Sequence, residues 1–144
     1  MTILKTDPGK DMLYDPKESV SFEGETGPYV QYTYARLSSI IRKSEKMPKK
    51  VDYSLLKSDI EHKIIKQLSI FPQIISDSAT NYKPHLLTRY LLDLSQLANE
   101  FYHNSPILKE EKALKEARLV LIECVRNVIK LGLSLMDIDV LERM

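Results

Sequence analysis

The sequence predicts an all-α protein: an antiparallel bundle of four main helices plus one short helix, with an irregular N-terminal lead-in. Three observations carry that prediction. Apolar residues recur at spacings of three and four through most of residues 28–135. Proline-bearing breaks divide that stretch into helix-length pieces. After residue 27, no alternating apolar pattern is long enough for a strand.

Residues 1–27 are polar and carry the turn signals Asp7-Pro8-Gly9, Asp15-Pro16 and Gly24-Glu25-Thr26-Gly27. They read as loops, with a short strand at 19–22. A helix then starts sharply. Thr26 or Gly27 can cap it, and Pro28 suits the first helical position because its missing N–H would be unpaired there anyway. This helix is expected over 28–43, and the charged segment 44–50, with Met47-Pro48, is a loop. A second helix is expected over 52–68, with Leu55, Leu56, Ile60, Ile64 and Leu68 apolar. Pro72 opens a short helix to about residue 81, and Pro84 opens a long one to about residue 102. The long helix buries Leu87, Tyr90, Leu91, Leu94, Leu97, Ala98 and Phe101. Asn104-Ser105-Pro106 breaks the chain again. The last helix, about 110–135, carries the stripe Ala113, Ala117, Leu121, Cys124, Val128, Leu131 and Leu135, which places Cys124 in the core.

Composition narrows the function classes. The 144 residues, 43% hydrophobic and 28% charged, suit one globular domain. A net charge of +1 provides no global field, so a polyanionic partner must meet a local patch. The single cysteine rules out an internal disulfide and fits a reducing compartment. No apolar run reaches membrane-span length and no secretory leader opens the chain, so a cytoplasmic protein is expected. Three of the four glycines fall in the first 27 residues, which leaves no Gly-rich phosphate cradle beyond them. His62, His85 and His103 have no metal-ligand spacing, and no metal site is expected.

At about 100° per residue, Val30, Tyr34, Leu37 and Ile41 fall on one arc of the first helix. Tyr29, Tyr32, Arg36, Ser39 and Lys43 fall on another, roughly opposite, with Ile40 close to it. Phenol rings stack on unpaired bases, guanidinium can stack or bond a base edge, and lysine meets phosphate. The same arc could equally pack its tyrosines on a neighbouring element and leave its charges in water. Residues 36–50 hold six basic residues against Glu45 alone, a net +5 in a chain of total +1. This patch is either a phosphate site or a solvated loop.

The run Ser21-Phe22-Glu23-Gly24-Glu25-Thr26-Gly27-Pro28-Tyr29-Val30-Gln31-Tyr32-Thr33-Tyr34-Ala35-Arg36 resembles a signature of the arginyl-tRNA synthetases, found at the junction of their catalytic and C-terminal helical domains. The similarity continues through 68–72 with Ile74-Ile75 and through 84–102 with Tyr90-Leu91-x-Asp93-Leu94 and Phe101-Tyr102. It extends from Ala117-Arg118-Leu119 to Gly132-Leu133 and ends at Glu142-Arg143-Met144. Two departures occur. The family usually has Leu-Gly-Ile and then Ala-Pro near its end, where this chain has Met136-Asp137-Ile138 and Val140-Leu141. They leave the path of the tail, and so the place of Met144, open.

The resemblance implies a DALR-type anticodon-binding domain of a class I synthetase at 28–144, with 1–27 as the tail of the catalytic-domain junction. It implies binding of the anticodon stem and loop of an arginine tRNA. Carried over to matching positions, Tyr29, Tyr32 and Arg36 are the first candidates, with Lys43, Tyr102, His103 and Met144 beside them. Arg42, Lys46, Lys49 and Lys50 form the expected phosphate patch. Gln31 can instead serve domain docking. The family's His-x-Gly-His and Lys-Met-Ser-Lys type motifs do not occur here. The stretch is therefore expected to be non-catalytic alone and to hold no cofactor, with ATP and arginine bound by the parent's catalytic domain. The expected partners are arginine tRNA and that catalytic domain, in a monomer without membrane contact. The alternative is a helical protein-interaction module of synthetase origin without tRNA binding. A synthetase for another amino acid, cysteinyl or glycyl, is argued against by the Gly-Pro-Tyr-x-Gln-Tyr run. Exposure of Tyr29, Tyr32 and Arg36 beside the basic patch discriminates the first two readings.

Overall fold

A computed structural model of the chain describes every residue except Thr2, Pro8, Glu23, Glu45 and Lys49, and all described side chains but that of Glu18. Five helices dominate: α1 (Gly27–Lys43), α2 (Asp59–Ser69), α3 (Phe71–Thr80), α4 (Pro84–Asn104) and α5 (Lys112–Ser134). Helix α4 lies at the centre and packs on each of the other four. No strand occurs among the described residues. None of the helices is long and apolar enough to cross a membrane.

Local chemistry sets the helix starts. The Thr26 side chain accepts the Tyr29 N–H at 3.2 Å and Pro28 follows, as the sequence predicts. The second helix begins later than expected. Asp52 caps only a short 3-10 turn, Tyr53–Leu55, with its carboxylate 3.0 Å from the Ser54 N–H. The α-helix waits for Ser58, whose hydroxyl accepts from Glu61 N–H while Glu61 Oε2 accepts from Ser58 N–H at 2.8 Å. This reciprocal cap satisfies two orphan donors at once and outweighs the apolar spacing that extended the prediction to residue 52. The strand expected at 19–22 is also absent: Pro16–Ser19 forms one helical turn, with Lys17 N–H bonded to the Asp15 side chain at 2.8 Å.

The last helix buries only part of the predicted stripe: Ala117 and Leu121 are in the core and Val128 is half-buried against it. Leu119, Ile122, Val125, Ile129 and Leu133 face the core, whereas Ala113, Cys124, Leu131 and Leu135 are exposed. Its rotation is fixed by Arg118, 8% exposed, which donates to Glu61 Oε1 at 2.7 Å, Glu110 Oε1 at 3.0 Å and the Pro106 carbonyl at 2.9 Å. Glu61 is itself 1% exposed. Burial works against its charge, but bonds from Ser58 and Arg118 win and hold its carboxyl below the ordinary value. Nearer the C-terminal end of the helix, Gly132 lets α5 approach α4 so closely that a Cβ there would lie 2.6 Å from a methyl of Leu91.

After α5 the chain reverses by a Schellman stop. Ile138 N–H bonds to the Leu133 carbonyl at 3.0 Å and Asp137 N–H to that of Ser134 at 3.1 Å. Asp137 sits at φ +57°, the left-handed conformation that aspartate tolerates better than most residues. It does the work of the family's usual glycine, so the tail turns back despite that departure.

Candidate nucleic-acid interface

Helix α1 is buried on one side through Val30, Tyr34 and Leu37, with Ile41 half-buried and Ile40 also in the core. Its other side meets α4 and the returning tail. There Tyr32, Ala35, Arg36, Ser39 and Arg42 from α1, Tyr102 from α4, and Arg143 with Met144 from the tail enclose a groove of about 390 Å³. Tyr32 and Tyr102 are 37% and 41% exposed, and Met144 is 51% exposed.

Arg36 is the centre of the groove. Its guanidinium carbon lies 4.6 Å from the ring centre of Tyr32 and 5.0 Å from that of Tyr102. It donates from Nη1 to Asn99 Oδ1 at 2.8 Å and from Nη2 to Tyr32 Oη at 3.0 Å. Asn99 is oriented in turn by donating to Thr33 Oγ1 at 2.8 Å. Among the described residues no carboxylate pairs with Arg36. The cation is thus held in place by neutral partners. On the outer side, Phe22 meets Tyr32 edge-to-face at 6.2 Å.

The tail wall is fixed from α1. Gln31 donates to the Asp139 carbonyl at 2.7 Å, Tyr34 Oη to Glu142 Oε1 at 2.6 Å, and Arg42 Nη1 to the Glu142 carbonyl at 2.8 Å. Burial and this carboxylate push the Tyr34 phenol up, while the same bond holds Glu142 below the ordinary value. Gln31, a candidate for domain docking, here bonds the chain's own tail.

The structure gathers some of the sequence-predicted residues and separates others. Tyr32, Arg36, Arg42, Tyr102 and Met144 share the groove. Tyr29 is half-buried against the core and lines a different hollow, edged by Glu25 and Asp93. Lys43 lines an adjoining hollow that also contains Tyr102. His103 is exposed next to Tyr102, with the rings 5.5 Å apart. Lys46 lines a third hollow and Lys50 is exposed, while Lys49 lies outside the described residues. Arg42 is drawn toward the tail rather than toward the loop lysines. Sequence reasoning missed Asn99, Thr33 and Arg143. A signal existed for Asn99, which precedes Tyr102 by three residues and so shares its helix face.

The sequence pattern of the family described as "DALR anticodon binding domain" matches residues 30–144. The chain belongs to that family. This DALR domain is 44% identical over 144 residues to an arginine–tRNA ligase of Clostridium botulinum, covering 99% of this chain and 26% of that protein. An arginine–tRNA ligase of Parabacteroides distasonis is 40% identical over 147 residues, covering 99% and 25%. The DALR domain thus spans about a quarter of the length of these curated relatives. Among solved structures, Thermus thermophilus arginyl-tRNA synthetase superposes with a TM-score of 0.89 at 35% identity, over 97% of this chain and 25% of that one. The Plasmodium falciparum enzyme shares the fold, with a TM-score of 0.82 at 24% identity over 98% and 25%.

Proposed function

We propose that this DALR domain binds the anticodon stem and loop of an arginine tRNA through the Tyr32–Arg36–Tyr102 groove, and so serves the arginyl-tRNA-forming reaction of a longer enzyme. The observation that carries the reading is the Arg36 guanidinium, which no described carboxylate pairs with, set between two exposed phenol rings. Rings and a fixed planar cation suit unstacked bases, which need a π-face and an edge donor at once. Arg42, Arg143 and Met144 close the other side of the groove. Residues 1–27 are the side of the domain that would join a catalytic domain, where ATP and arginine would bind. In this reading the chain alone forms no arginyl-tRNA.

The half-buried Tyr29 supports packing rather than base contact at that position. By exposure, the interaction-module alternative gains from Tyr29 and from the half-buried Arg36 but not from Tyr32. A gel-shift titration with arginine tRNA and an unrelated tRNA at one salt concentration tests the reading. Preference for arginine tRNA, weakened by Arg36→Ala, is expected. Equal affinity for both tRNAs, or no effect of the substitution, would remove the groove from tRNA recognition.

A further inference from the structure

We infer that a strip of unpaired lysines, running from the groove past the end of α1 to the first turn of α5, holds the phosphate backbone of the RNA strand that leaves the groove. The inference rests on the tRNA reading above and extends it to a surface outside the groove.

Tyr102 belongs to two adjoining hollows, the groove and a second one flanked by Lys43 and Lys109. A third and larger hollow of about 560 Å³ is lined by Lys46, Lys112 and Lys115, with Glu110 and Glu116. The second and third meet through chain neighbours, Lys43 with Ser44 and Lys109 with Glu110. Five lysines therefore lie along one connected surface. Among the described residues, none of the five has a carboxylate within ion-pair distance. One of the two acids in the third hollow is already spent, because Glu110 Oε1 accepts from the buried Arg118 at 3.0 Å.

Helix α5 brings two of these lysines, Lys112 and Lys115, into its first turn, with Glu111 at the cap. Lysines act as point charges for phosphates, which position an RNA without reading it. An acidic peptide would also meet these charges, but it would have no use for the stacking groove that the strip continues.

The test is the salt dependence of binding to arginine tRNA by the wild type and by the Lys46→Gln/Lys112→Gln/Lys115→Gln variant. Each lost phosphate contact should make the log–log slope shallower by about 0.7–0.9. The triple variant should therefore lose roughly two to three units of slope and bind more weakly at low salt. Its preference for arginine tRNA over an unrelated tRNA should persist, because the strip reads no bases. An unchanged melting temperature, or a raised one, excludes unfolding as the cause. Wild-type binding with an unchanged slope in the variant would overturn the strip alone. Absence of wild-type binding at low salt would overturn the tRNA reading and the strip with it. Displacement of the RNA by polyglutamate as readily as by an RNA hairpin of equal charge would make the strip a general polyanion surface and also overturn the proposal.

Discussion

Two arginines flank the end of α4, and they are handled in opposite ways. Arg118 lies over Phe101 at 5.7 Å, inside the bundle, with two carboxylates and a carbonyl around it. Arg36 lies over Tyr102 at 5.0 Å, on the outer side, with an amide and a phenol as its partners. Consecutive residues of one helix thus back a neutralised cation and one that no described carboxylate pairs with. Arg118 spends its charge on the fold. Arg36 is held by two neutral partners instead. A buried aromatic–arginine contact is therefore no sign of function by itself.

The largest expected effect tests the inner arginine. Arg118→Ala leaves Glu61 buried without its cation and should cost about 3–5 kcal/mol. At roughly 2–4 °C per kcal/mol for a domain near this size, calorimetry should show a Tm lower by about 6–20 °C. Acid should act on the same pair. Because the folded Glu61 carboxyl titrates below its ordinary 4.5, its stabilising contribution is complete above that pH and is lost as pH falls through the lowered value. A Glu61→Gln variant should flatten that acid limb of the stability curve.

The outer arginine should behave differently. Arg36→Ala is expected to weaken arginine-tRNA binding by about 1–3 kcal/mol while moving Tm little. Arg36→Lys should restore only part of the loss, since an ammonium cannot stack as a planar group. A drop in Tm as large as that of Arg118→Ala would erase the contrast between the two sites. Asn99→Ala should have a smaller effect on affinity, about 0.5–1.5 kcal/mol. Added to Arg36→Ala it should cost little more, because both act through one guanidinium; additive losses in a double-mutant cycle would separate them. An effect of similar size is expected for Tyr34→Phe, which removes a bond to Glu142, about 1 kcal/mol of stability. Faster amide exchange confined to residues 139–144 would report it.

Much of this architecture is legible in the sequence because its punctuation is local. Pro28, Pro72, Pro84 and Pro106 each stand at or beside a helix boundary, and the Thr26 cap is readable as such. The Ser58–Glu61 box is readable by the same rules, and the apolar spacing upstream hid it. The face of α5 is another matter. The helix is apolar on more than one side, and a burial partner 57 positions away, Glu61, selects among them. The site divides similarly. Tyr32 and Arg36 share a helix face and can be paired by periodicity. Tyr102 and Met144 entered only through resemblance, and the Asn99–Thr33 brace is a contact between helices that no spacing rule reports.

The left-handed residue at the end of α5 has a consequence for how this surface can vary. One dihedral, at Asp137, sets the direction in which the last seven residues leave the bundle. Those residues are pinned at Asp139 and Glu142, so their register is counted from that reversal. Adding or removing a single residue between 137 and 142 would carry Arg143 and Met144 away from the mouth they border. Apart from Asp137 and Glu142, substitutions along this stretch should be tolerated where length is kept, and changes of length should not.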